Sequence, residues 1–275
     1  MRLLRFLLFL LLSSISLSSL ALSPPINVKV ESEWGGAVLA DVQAVTDSVV
    51  TSIMPYVDLA HVEPILVRNE PAGPIVFYKK GEQGQTVIAL EVNGAYWSQI
   101  ALQFSHELCH VLSNYDLAPN NVSQQMWLDE TLCEAFSLFT LKQMAEQWKT
   151  NPPYANWKDY AAQLQDYRDK RLQEPHRQLP VGLTYAQWYT QHKDELSANP
   201  TAQDRRLNEQ LASKVLALFE ANPENWNALR YLNLGDDRSD KSLNKFLSDW
   251  EHNTPEKWRA PITQLKAELL GNSGA

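Results

Sequence analysis

Beyond its first two dozen residues the chain has no apolar run long enough to cross a bilayer, which excludes a membrane-spanning helix there. It has two cysteines, Cys109 and Cys133, leaving room for one disulfide at most. It lacks an excess of basic residues: 24 Lys and Arg stand against 32 Asp and Glu, a formal charge of -8. That balance argues against nucleic acid or an anionic membrane surface as the main partner. Internal repeats and low-complexity tracts are also missing, which excludes a repeat array. What is present is an ordinary globular composition, with 44% hydrophobic and 20% charged residues in 275 positions. That suffices for one large domain or two small ones with a proper core.

The N-terminus reads as a targeting segment. Arg2 and Arg5 precede an unbroken apolar run from Phe6 to Leu12, followed by a small, polar stretch from Ser13 to Ser19. Ser19-Leu20-Ala21 offers small residues where a signal peptidase reads, so residues 1–21 are expected to be a signal peptide cleaved after Ala21. The run is short for a membrane anchor, and no Cys follows it as a lipidation site. The expectation is an exported protein, periplasmic or secreted, with no stable membrane insertion of the mature chain. Removing Arg2 and Arg5 leaves 22 basic against 32 acidic residues, a charge of -10. In an oxidising compartment Cys109 and Cys133 can pair, whereas in cytosol they would stay reduced.

Residues 26–30 alternate like a strand, and Gly35-Gly36 then precedes apolar residues at helical spacing: Val38, Val42, Val45, Val49 and Ile53. Three β-rich runs follow, at 65–67, 75–78 and 87–92. The last two flank the turn-like Lys79-Lys80-Gly81-Glu82-Gln83-Gly84, which suggests a hairpin. From Trp97 the period becomes helical, with Ile100, Phe104, Leu108, Val111 and Leu112 on one face. A second helix is expected over 124–148, ended by Asn151-Pro152-Pro153. Helices should then occupy about 155–172, 184–195, 203–221, 224–233, 239–251 and 256–270. This is an α+β arrangement: a subdomain at 22–150 with a small N-terminal sheet, then a helical C-terminal subdomain at 151–275. Asn121-Val122-Ser123 fits a glycosylation acceptor.

The chemistry lies in His106-Glu107-Leu108-Cys109-His110. His-Glu-x-x-His on a helix puts two imidazoles one turn apart on one face, within reach of one metal ion. The Glu, about 100° round the helix, can hold a metal-bound water without being a ligand. By chance such a pattern arises in roughly one chain in a hundred of this length, so coincidence is a weak competitor. Hydrolysis needs three protein ligands and an open position, so a third ligand must exist.

Trp127-Leu128-Asp129-Glu130 and the residues after it supply candidates. Here the chain resembles the gluzincin zinc metallopeptidases, in which a Glu on the next helix completes the site. Nineteen residues separate His110 from Glu130, similar to the thermolysin-like spacing, and the Trp-Leu-Asp-Glu run is similar to the Trp-Leu-Asn-Glu of M1-type aminopeptidases. The resemblance spans roughly residues 85–140 and implies a zincin-like fold. It further implies one Zn2+ held by His106, His110 and Glu130, with Glu134 orienting His106. The aminopeptidase Gly-x-Met-Glu-Asn signature is missing, so aminopeptidase specificity is not carried over. The Val87–Val92 strand is expected along the cleft rim, open to an extended substrate. Three alternative residues for the third ligand remain. Asp116 falls where metzincins place their last ligand, but Ser113 replaces the Gly of that motif; Asp129 or Glu134 could also serve.

The expected activity is peptide-bond hydrolysis by a zinc-bound water, with Glu107 as general base and a peptide or protein as substrate. The alternatives are a non-catalytic zinc-containing binding protein, or an amidase acting on a cell-wall or other non-peptide amide. Cys109 and Cys133 each lie three residues after a proposed ligand, so antiparallel ligand helices would bring them together as a disulfide. Tyr185, Trp188, Tyr189 and His192 form a stripe at helical spacing, readable either as core or as a cleft wall supplying a donor.

Overall fold

A computed structural model of the chain describes residues 26–31, 33–117, 124–201, 205–235 and 238–271. The expected signal peptide and the Asn121-Val122-Ser123 acceptor lie outside the described residues. The architecture is α+β: four short strands and a mostly helical remainder.

The strands are β1 (Val28–Val30), β2 (Ile65–Asn69), β3 (Ile75–Phe77) and β4 (Thr86–Leu90), in the order β1-β2-β4-β3. β1, β2 and β4 are parallel, while β3 returns antiparallel to β4 through the expected hairpin. Helix α1 (Leu39–Ile53) makes the crossover from β1 to β2 and buries Val42, Val45, Val49 and Ile53. β4 lies between two partners, and all five of its residues are buried, which suits its Val, Ile and Leu content. The two sheet edges are treated differently. The outer backbone of β1 is covered by Gln43 of α1, which donates to Val28 O at 2.8 Å and accepts from Val30 N at 3.0 Å. β3, at the other edge, runs along a cleft. The strand expected on the rim, Val87–Val92, is therefore not the rim strand, because both of its backbone edges are already paired.

Helix α2 (Trp97–Leu112) follows the sheet and is locked to it by Gln103. That side chain accepts from Glu91 N at 2.9 Å and donates to Glu91 O at 3.2 Å, one turn before the His-Glu pair. The helix ends where Asn114 takes a left-handed backbone, φ 55°, a conformation that Asn tolerates better than most residues.

Helix α3 (Met126–Trp148) is the central element and packs against α1, α2, α4 (Tyr160–Leu172) and α6 (Arg206–Glu220). Apolar or small residues on nearly every face allow that burial. Helices α5 (Tyr185–Ala198), α7 (Leu243–Asn253) and α8 (Ala260–Leu270) complete the helical part, and the hydrophobic core is continuous from Ile26 to Leu269. The helix expected at 224–233 is a 3-10 segment, Pro223–Tyr231, opened by a proline.

Candidate metal centre

α2 presents His106 and His110 one turn apart, with ring centroids 5.2 Å from each other. The first turns of α3 bring Glu130 between them: its Oε2 lies 3.2 Å from His106 Nε2 and 3.6 Å from His110 Nε2. Ligands at 2.0–2.1 Å from a tetrahedral zinc stand about 3.3 Å from each other. The donor set and its spacing therefore fit one such ion. Asp116 is elsewhere, half-exposed on a 3-10 turn with Lys80 Nζ 3.7 Å away, and it does not join this group.

The far nitrogen of each imidazole faces a carboxylate. His110 Nδ1 lies 3.5 Å from Oδ2 of the fully buried Asp129, and His106 Nδ1 lies 3.8 Å from Glu134 Oε2. This arrangement turns both Nε2 atoms toward the shared point and favours the Nδ1–H tautomer. Asp129 thus stands behind His110 and not among the Nε2-facing ligand atoms.

Glu134 is held in turn by Arg177, whose guanidinium is fully buried and donates to Glu134 Oε1 at 2.7 Å. Arg177 also binds Glu174 at 2.8 Å and Glu209 at 3.0 Å. Sequence reasoning missed Arg177, and its distance along the chain left no spacing signal to find it.

The electrostatics follow from these contacts. Burial pushes the Glu134 pKa up, but Arg177, His106 and Arg171 outweigh it and leave the carboxyl below its usual value. Burial likewise opposes charge on Glu130, yet His110, His106 and Arg205 hold it well below the carboxylate range. Burial disfavours the His110 cation, but Glu130 and Asp129 raise its pKa well above the ordinary value. Glu107 behaves differently. Burial dominates and raises its pKa, against the pull of the two histidines.

Glu107, His106, His110 and Glu130 line a cleft of about 1240 Å³. One wall is the 71–76 segment, which includes the start of β3. Gly73 is needed there, since a Cβ would lie 2.7 Å from the Leu90 carbonyl carbon. Arg205, just before α6, also lines the cleft, and its Nη1 lies 2.9 Å from His106 Nε2 and 3.2 Å from Glu130 Oε2. Tyr78 and Tyr115 also line the cleft, and Tyr115 donates to Phe77 O at 2.7 Å.

Cys109 and Cys133 are joined as a disulfide, with Cα atoms 5.2 Å apart. The Cys133 sulfur is close to His110 and Asp129, but in a disulfide it has no thiolate to offer a metal. Another group of possible metal donors, Glu174, His176 and Glu209, has its carboxylates paired with Arg171 and Arg177. The Tyr185–His192 stripe is packing: Trp188 and Tyr189 contact Trp127, and Trp188 Nε1 donates to Gln210 at 2.6 Å. None of the four lines the cleft. Comparison with family models, with curated proteins and with solved structures finds no match to this chain.

Proposed function

We propose that the chain is an exported zinc metallopeptidase of the gluzincin type that hydrolyses peptide bonds in a peptide or protein substrate. The observation that carries this reading is the convergence of His106, His110 and Glu130, with Glu130 Oε2 3.2 and 3.6 Å from the two Nε2 atoms, beside the buried Glu107. A parallel sheet with one antiparallel strand bordering the cleft supports the zincin-like fold. The disulfide supports an oxidising, hence exported, location.

Held by the two histidines and Glu130, a zinc ion would polarise the scissile carbonyl and acidify the attacking water. Asp129 and Glu134, 3.5 and 3.8 Å from the two Nδ1 atoms, favour the imidazole tautomers that such binding requires. Glu107 takes the water proton and later delivers it to the leaving amine. Burial raises its pKa above the ordinary carboxylate value, the direction that favours accepting a proton. The β3 edge gives an extended substrate a backbone to pair with.

The test is metal analysis of the mature protein, followed by a peptide-library cleavage assay with and without chelator. About one zinc per chain is expected, with hydrolysis abolished by chelation. Glu130→Ala should lose metal, whereas Asp116→Ala should keep it. Glu107→Gln should keep zinc and fold while losing nearly all hydrolysis. Zinc-loaded wild-type protein that cleaves no peptide would overturn the reading in favour of a binding protein or a non-peptide amidase.

A further inference from the structure

Peptide hydrolysis builds negative charge on the carbonyl oxygen, and a site competent for it needs a preorganised donor there. The ligands and Glu107 are acceptors, so the donor must come from elsewhere in the cleft. Two features single out Arg205. Its Nη1 lies 2.9 Å from His106 Nε2 and 3.2 Å from Glu130 Oε2, about the distance that separates neighbouring ligand atoms round a tetrahedral ion. The guanidinium thus stands in the cleft directly beside two of the three candidate ligand atoms, where a substrate carbonyl polarised by a bound ion would come within its reach. Its Nε–H, moreover, is buried with no acceptor, so the hydrogen-bonding capacity of this side chain is incompletely used.

The placement of Arg205 is built into the fold. It is the residue before α6, and the first turn of that helix is tied to the ligand-bearing helix. Asn208 Nδ2 donates to Trp127 O at 3.0 Å, three residues before Glu130. Glu209 takes Arg177 at 3.0 Å, the same guanidinium that holds Glu134. Tyr115, another hydroxyl lining the cleft, already spends its proton on Phe77 O.

We propose that Arg205 is a catalytic residue that donates to the scissile carbonyl oxygen and stabilises the oxyanion; this rests on the metallopeptidase reading above. As the water oxygen bonds to the carbonyl carbon, the C=O π pair moves onto the carbonyl oxygen and the water proton passes to Glu107. Arg205 donates a hydrogen bond to that oxygen and loses no proton. When the C–N bond breaks, its electron pair leaves on nitrogen, Glu107 returns the proton there, and the π bond re-forms. The products are a carboxylic acid and an amine.

The experiment compares wild type, Arg205→Gln and Arg205→Lys in zinc content, zinc affinity by chelator competition, peptide kinetics, and calorimetric binding of a phosphonamidate that mimics the tetrahedral species. The expected result is undiminished zinc affinity in both variants, since each removes or moves a cation beside the ligands. Arg205→Gln should lose about 10²–10³-fold in kcat, with a smaller change in KM. Phosphonamidate affinity should fall in parallel with kcat/KM, and Arg205→Lys should recover part of both. Equal kcat and phosphonamidate affinity in Arg205→Gln and an active wild type would overturn the proposal alone. Loss of zinc from both variants would make Arg205 a structural counter-charge and also overturn it. A zinc-loaded wild type inert toward every peptide would instead overturn the underlying reading.

Discussion

Removing the Cys109–Cys133 bridge should cost the protein about 3.5 kcal/mol at 25 °C, from the loop-closure entropy of the 24-residue separation it closes. The perturbation is Cys109→Ala with Cys133→Ala. Both residues are fully buried, so the substitution adds no unpaired polar group. For a chain of this size the loss corresponds to a fall of roughly 7–14 °C in Tm. Urea unfolding of wild type and variant reads it directly, and it is best done with chelator present so that metal binding does not mask the difference. A second measurement fixes the redox state: thiol counting on denatured, unreduced wild type should find none. Two thiols per chain, or a stability difference below about 1 kcal/mol, would refute the reasoning. The bridge joins the two helices that carry the proposed ligands, so on the metallopeptidase reading the variant should also bind zinc more weakly, though less so than Glu130→Ala.

Arg177→Met should destabilise the protein by about 3–5 kcal/mol, because it leaves the Glu134 carboxylate buried without its main partner. In urea unfolding, Arg177→Met combined with Glu134→Gln should recover much of that loss, and failure to recover any would place the cost elsewhere. Asp129→Asn should weaken zinc binding by roughly 10–100-fold in chelator competition, while Asp116→Ala should leave it unchanged. Tyr78 offers a pH test. Burial, with Asp129 and Asp116 adding, pushes its pKa up to about 12, so its phenolate absorbance near 295 nm should appear late in an alkaline titration. The linked stability is complete below about pH 10 and is lost as pH rises toward 12, and Tyr78→Phe should flatten that stretch of the profile.

Much of the site was legible in the sequence because its geometry is local. Residues four apart on a helix share a face, so His106 and His110 were bound to converge once α2 formed. Glu130 became a candidate through the resemblance of its Trp-Leu-Asp-Glu run, and of its spacing from His110, to the gluzincin pattern. The strands, the 79–84 turn and the long α3 likewise follow from period and turn chemistry, which neighbouring residues decide among themselves. Other features depend on contacts between remote segments, and only the tertiary structure decides them. Strand order is one: β3 takes the edge because β4 pairs with β2 across the sheet, and nothing within 86–90 encodes that partner. The roles of Asp129, Glu130 and Glu134 are another. Each residue advances a helix by about 100°, so which carboxylate meets Nε2 and which meets Nδ1 depends on how α3 is rotated against α2. Arg177 and Arg205 reach the centre from 43 residues beyond Glu134 and 99 beyond His106. Only the packing of α6 onto α3, with the Pro175–Arg177 turn against α6, brings these cations to a site whose candidate ligands lie on α2 and α3.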